Sequence, residues 1–480
     1  MIKKFIDRIL GKHPSQKKLI HGHAIAPLVV HKKNHHINPQ LLSKNAVKVT
    51  ATLQQAGFDA YIVGGAVRDL LLGIAPKDFD VATNATPEEV QRLFRKSRLI
   101  GRRFQIVHVT FYGKERLEII EVSTFRAHVQ GEDGHIAASG RILRDNVWGS
   151  QAEDATRRDF SINAMYYDPQ SETVLDYHHG MQDISARTIR MIGEPKQRYR
   201  EDPVRMLRAI RFAAKTGFKI ESATREPIAD LAHLIEEVPH ARLFDELLKL
   251  LMSGHAWESV VGLQTYGLSR QILPVLEDIE RDPIRLKFVQ TALKNTDARV
   301  KQGKSISPGF LFSTLLWHEV NERWQDLMSS GTPSIPALHE AIDATLASQP
   351  IVTGMQRRHE SDMKEIWLMQ PRLEKRVGRY PYRLIDSPKF RAGYDFLKLL
   401  ADNDEQDSEL AMWWGRFWEG DEPTRQELIA VWPVPRFWNS SQMDVRLARF
   451  RSRKNSCRFI LRPTPIRNCH RSICVGVSRI

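Results

Sequence analysis

At 480 residues, with 42% hydrophobic and 27% charged residues, the chain is long enough for two or three domains with full cores, and its composition excludes a fibrous or wholly disordered protein. The formal net charge of +14 points to a polyanionic partner, since a cationic surface of that size steers and holds phosphates. No apolar run approaches the roughly 20 residues that cross a bilayer, no signal-peptide pattern opens the chain, and Cys457, Cys469 and Cys474 crowd the C-terminus, so neither a membrane span nor a disulfide framework is expected and a reducing cytoplasm is.

In chain order, MIKKFIDRILGKH places Ile2, Phe5, Ile6, Ile9 and Leu10 at helical spacing among Lys3, Lys4 and Arg8. That pattern suits a frayed arm or a helix docked on the protein itself, or else a short membrane-surface or partner-binding helix. Residues 1–42 as a whole read as a basic flexible extension. Globular structure is expected from Ser43, a good N-cap, with Ala46, Val49 and Leu53 on a helix ended by Gly57.

The organising stretch is Tyr61 to Val81, YIVGGAVRDLLLGIAPKDFDV. Its apolar start reads as a buried strand, Gly64 and Gly65 as a turn, Ala66 to Leu72 as a helix, and Asp78-Phe79-Asp80 as part of a second strand. Glycines let backbone N–H groups approach an anion, and a helix start aims its positive end at the same place, so a triphosphate is the expected guest. Residues two apart on a strand share a face, so Asp78 and Asp80 would project together; paired carboxylates call for a hard cation, and Mg²⁺ with phosphate co-ligands fits.

Thr86-Pro87-Glu88-Glu89 starts a further helix. Leu99 to Phe111 and Arg116 to Phe125 read as a β-hairpin, with Glu121 on its second arm as a candidate third carboxylate. His128 to Gly140 reads as a loop over the site. Arg157, Arg158, Asp159 and Asn163 in RRDFSIN offer cations for phosphate and polar groups for a ribose. In REDPVRMLRAIRF, Glu201, Arg205 and Arg208 are expected on one helical face. Beyond Gly217 the pattern is helical, with Ala241 to Met252 the strongest amphipathic piece. Tyr380, Tyr382, Phe390 and Tyr394, set among basic residues over 357–394, either stack on RNA or belong to the core. The chain after about 433 reads as a basic tail without sustained period, and a reading-frame change in the source sequence is one explanation of it.

Taken together, GGxxRD with DxD, RRDFSIN and EDPVRMLR resemble the nucleotidyltransferase superfamily that includes DNA polymerase beta, and within it the bacterial tRNA CCA-adding enzymes and poly(A) polymerases. The resemblance implies an α+β protein: a polymerase-beta-like nucleotidyltransferase head with a mixed sheet over 43–182, then an all-helical neck over 183–250 and body over 251–432, with a tail over 433–480. It implies two Mg²⁺ on Asp78 and Asp80, with Asp159 a catalytic residue that completes the acidic cluster or orients the ribose, and Glu121 its rival as the third carboxylate at the metals. Nucleotide contacts would come from Gly64, Gly65, Arg68, Arg157, Arg158, Asn163, Asp202, Arg205 and Arg208, the resemblance implying that Asp202 and Arg205 read the base edge, as an acceptor and a donor to adenine. ATP is the implied substrate, RNA 3′ ends the acceptor, and RNA-decay machinery the implied partner. LIGRRFQIVHV resembles the signature by which poly(A) polymerases differ from their CCA-adding relatives, and favours the former; an inactive RNA-binding protein on the same fold is the remaining alternative.

Overall fold

The computed structural model describes residues 26–101, 105–113, 117–127, 147–349, 352 and 354–431. The chain divides into two compact units, residues 1–374 with 385–414 and residues 375–384 with 415–480. The amphipathic N-terminal stretch, the GRRF arginines and Phe104, the loop over 128–140 and the tail after 433 all lie outside the described residues.

The first unit opens with a mixed eight-stranded sheet: β1 Leu28–His31, β2 Ala60–Val63, β3 Asp80–Thr83, β4 Ser97–Ile100, β5 Ile106–Tyr112, β6 Leu117–Thr124, β7 Met165–Asp168 and β8 Thr173–Asp176. Their order across the sheet is β1-β8-β7-β2-β3-β6-β5-β4. β3 and β6 run parallel, whereas the other neighbours are antiparallel. One face is covered by α1 (Lys44–Gln55), α2 (Gly65–Leu71) and α3 (Pro87–Leu93), which bury Val49, Leu53, Val67 and Val90 against Val81, Val107 and Ile120. The caps are those expected. Ser43 accepts from the Asn45 and Ala46 amides, and Thr86 with Glu89 forms a reciprocal capping box.

Two local expectations are corrected. Residues 28–41 are part of the head rather than of a flexible lead-in: β1 pairs with β8, Val30 and Ile37 enter the core, and the His35 ring packs edge-on to Tyr167 at 5.7 Å. β-Branched Val29 and Val30 suit an edge strand, and β8 offers them an unpaired backbone edge. The expected hairpin is a three-stranded meander, because the first apolar run breaks near Gly101 (φ 92°) into β4 and β5.

After α4 (Gln151–Arg157) and strands β7 and β8, the chain becomes helical. The single helix expected through Arg200 to Phe212 is two, α5 (Pro195–Glu201) and α6 (Val204–Thr216), broken at Asp202, whose φ is −153°. Pro203 disfavours the helical conformation at the residue before it and lacks an N–H for the helical ladder. α7 (His240–Leu251) packs Leu243, Phe244, Leu247 and Leu250 into a core shared with Leu207 and Ile210 of α6 and continuing through Phe288, Phe312 and Trp367. Phe390 is buried in that first unit and stacks on Tyr394 at 6.1 Å. In the second unit Tyr382 packs on Phe417 at 5.2 Å and donates to Glu422, and Lys375 sits over the Tyr380 ring. Phe390 therefore belongs to the core, whereas Tyr382 and Tyr394 are half-buried. No described helix is long and apolar enough to cross a membrane.

Candidate active site

The parallel pairing of β3 with β6 sets Asp80 opposite Glu121, and the antiparallel pairing of β5 with β6 sets His108 opposite Glu121 from the other side. His108 Nε2 lies 3.3 Å from Glu121 Oε1. Asp80 and Glu121 line an open cavity of about 150 Å³ together with Val63, Ile106, Ser123, Arg126 and Arg158. Burial, then the neighbouring Glu121 and Asp78 charges, push the Asp80 carboxyl up to about 6, with Arg158 opposing. Asp78 is placed differently from the sequence reading: β3 begins at Asp80, and Asp78 is exposed in the bend before it, with buried Phe79 between. Its charge still reaches Asp80.

Among the described residues, no group of three or more His, Cys, Asp or Glu has the arrangement of a metal cluster. The two facing carboxylates nonetheless fit a divalent cation: both are hard oxygen donors, and the repulsion that raises the Asp80 carboxyl is what such an ion relieves.

Gly64 caps α2 at φ 71°, a conformation that a side chain would strain; a Cβ there would lie 3.5 Å from Arg158 Nη1 and 3.8 Å from Asp80 Oδ2. Gly65 is the first residue of the seven-residue α2. Arg158 is held from behind. Its Nε and Nη2 donate to Asp154 Oδ2 at 3.2 and 3.0 Å, and its guanidinium lies 5.1 Å over the Tyr166 ring. Asp154 also accepts from Arg126 Nε at 3.1 Å and from the Tyr166 hydroxyl at 2.6 Å. Burial works against the Asp154 charge, but Arg158, Arg126 and Tyr166 bring its carboxyl down to about 2. Arg158 is accordingly a fixed cation on the cavity wall.

Other expected residues form a second network. Arg68 is 2% exposed and committed inside the fold: it donates to Asp69 and, at 2.7 Å, to Asn163 Oδ1, and stacks 5.1 Å from the Phe212 ring of α6. Lys215 Nζ reaches Asp69 at 2.8 Å. Asn163 donates to Asp159, whose other oxygen accepts from Arg208 Nε at 2.6 Å. Burial opposes the Asp159 charge, yet Arg208 and the Phe160 amide keep its carboxyl below the usual range. Asp159 does not line the Asp80 cavity; Glu121 is the carboxylate that faces Asp80. Arg157 is buried and donates to the Ala127 carbonyl.

At the break between α5 and α6, Asp202 Oδ2 accepts from Arg242 Nη2 of α7 at 2.6 Å, while Asp202 Oδ1 is buried without a hydrogen-bond partner among the described residues. Burial alone would raise this carboxyl; Arg242, Arg205 and Arg208 hold it low. Arg205 Nη1 is taken up by the Arg198 carbonyl at 2.7 Å and Glu201 at 2.9 Å. Asp202 Oδ1 is thus a buried acceptor at the break, while these bonds of Arg205 engage Nη1.

The poly A polymerase head domain matches residues 60–190, the probable RNA and SrmB-binding site of polymerase A matches 217–280, and the polymerase A arginine-rich C-terminus matches 330–452. Poly(A) polymerase I of Salmonella typhi is 42% identical over 412 residues, covering 84% of this chain and 88% of its own length. The chain belongs to the bacterial poly(A) polymerase family. A CCA-adding enzyme of Bacillus velezensis is a more distant relative, 34% identical over 59% of this chain and 63% of its own. Among solved structures, a tRNA-processing enzyme in an apo form shares the fold, with a TM-score of 0.52 at 21% identity over 80% of this chain and 99% of that one.

In this poly(A) polymerase the sequence reading missed the residues that hold the others. Asp154, Arg126 and Tyr166 fix Arg158; Arg242 fixes Asp202; Lys215 ties α6 to Asp69. The i, i+4 spacing of Asp154 and Arg158 was the local signal available. The partners contributed by distant segments left none.

Proposed function

We propose that the site moves AMP from ATP to an RNA 3′ hydroxyl without a template, releasing pyrophosphate, with two Mg²⁺ held by Asp80, Glu121 and Asp78. The observation that carries this reading is Asp80 opposite Glu121 on parallel strands, in a cavity that Arg158 also lines. Bound Mg²⁺ supplies positive charge that lowers the pKa of the attacking hydroxyl and offsets the charge of the triphosphate. The hydroxyl loses its proton to solvent as its oxygen forms a bond to the α-phosphorus, the bond to the bridging oxygen breaks, and pyrophosphate leaves with that electron pair. Arg158, kept charged by Asp154, donates to a phosphate oxygen. The absence of a side chain at Gly64 leaves room for the phosphates beside Asp80. Asp202 Oδ1 accepts from the exocyclic amine of adenine. Asp159, Asn163 and Arg68 act as struts that join the base-reading helix α6 to the glycine turn, and Arg205 supports the α5–α6 break.

An inactive RNA-binding role on this fold is disfavoured by the facing carboxylates, which are a poor arrangement without a cation. By family resemblance, the extended RNA passes to decay enzymes and the reaction belongs to the cytoplasm. Asp80→Asn and Glu121→Gln test the assignment: each should lower AMP transfer at least a hundredfold, on the order of one electrostatic contact to the transition state. Wild-type activity in either variant would remove that residue from the site.

A further inference from the structure

We infer that the open face of β4, β5 and β6 is the track along which the 3′ end of a single-stranded RNA reaches Asp80 and Glu121. This inference rests on the transferase reading and adds the acceptor's binding residues to it. The strand registers put Arg98, His108 and Glu121 in one row, Thr110 opposite Ile119, and Tyr112 opposite Leu117. Residues two apart on a strand share a face, so Leu117, Ile119 and Glu121 lie on one side of β6, and His108, Thr110 and Tyr112 on the same side of β5. The opposite side is the packed one, carrying Val107, Val109, Ile120 and Val122.

This face holds large side chains that are left in solvent. Tyr112 is 72% exposed, Leu117 50% and Ile119 40%. Lys96 Nζ lies 4.8 Å from the centre of the Tyr112 ring, and Arg98 is exposed on the edge strand. Aromatic and aliphatic surface flanked by cations suits single-stranded nucleic acid, where bases stack and phosphates pair with Lys and Arg. The strip ends at the catalytic carboxylates, about 13 Å from Leu117 to Glu121 along β6. An acceptor hydroxyl has to arrive there, and continuity with the cavity makes RNA the occupant rather than a protein strand.

The test uses the full chain, an unstructured labelled RNA oligomer and ATP with Mg²⁺. Tyr112→Ala, Ile119→Ser and Arg98→Glu should each raise the KM for RNA, by roughly five- to a hundredfold for Tyr112→Ala if one base stacks there, with the KM for ATP and the melting temperature unchanged. In parallel, wild-type protein crosslinked to RNA carrying 4-thiouridine near its 3′ end should yield adducts in residues 106–112 or 117–121. Unchanged KM for RNA in all three variants, or adducts confined to the helical part of the chain, would overturn the inference while leaving the transferase reading intact. A wild-type protein that extends no RNA would instead remove the reading on which it stands.

Discussion

Asp80 and Glu121 are register partners on the parallel strands β3 and β6, and burial and repulsion between these carboxylates raise the Asp80 carboxyl to about 6. Removing one charge should relieve the protein when no metal is bound. Asp80→Asn is expected to raise the melting temperature in chelator, by an amount on the order of 1–3 kcal/mol of stability. Added Mg²⁺ should raise the wild-type melting temperature and leave that of the variant nearly unmoved. A wild-type protein indifferent to Mg²⁺ would show that the two carboxylates do not bind it.

Asp154 gives the pH dependence. Its carboxyl lies near 2 in the folded protein against 3.8 for the free group, so its contribution is present above about pH 4 and is lost as the pH falls towards 2. The shift corresponds to about 2 kcal/mol. Asp154→Asn, which leaves Arg158 and Arg126 without their buried acceptor, should cost about 3–5 kcal/mol at pH 7. The difference from wild type should shrink below pH 4, as read by urea unfolding across the pH range.

Asp202 should discriminate the amine of adenine. Asp202→Ala is expected to lower kcat/KM for ATP roughly ten- to a hundredfold, the value of a hydrogen bond to a charged group. Inosine triphosphate, which lacks the amine, should lose little, so the preference between the two nucleotides collapses. Retained preference in the variant would place base reading elsewhere.

Arg68 is expected to behave as a strut. Lysine cannot reproduce its simultaneous donation to Asp69 and Asn163 and its stacking on Phe212. Arg68→Lys should lose about 2–4 kcal/mol of stability in urea unfolding, with the KM for ATP changed less than by Arg158→Lys. The reverse order would return Arg68 to direct nucleotide binding.

The sequence made the local elements legible because their signals are local. Ser43, the Thr86 to Glu89 box and the alternating apolar residues of β5 and β6 announce themselves within a few residues. The Gly64-Gly65 turn and Asp80 were legible for the same reason, and Glu121 was already a candidate. What could not be read was partnership. Asp159 looks like a metal ligand in the chain, but Arg208, 49 residues on, takes its carboxylate. Arg205 looks like a base reader, and the chain gave no sign that its Nη1 would be taken by the backbone carbonyl of Arg198 and the side chain of Glu201. Helical periodicity put Glu201 beside Arg205, and that ion pair forms at 2.9 Å; what the period did not show is the break at Pro203 between them.

The most direct test is extension of two labelled RNAs, an unstructured oligomer and a tRNA lacking its 3′ end, with each nucleoside triphosphate in turn and Mg²⁺. Long ladders of A alone on the oligomer, with CTP poorly used, are expected. Ordered addition of C, C and A that stops on the tRNA, with the oligomer left unextended, would contradict polyadenylation as the reaction of this site.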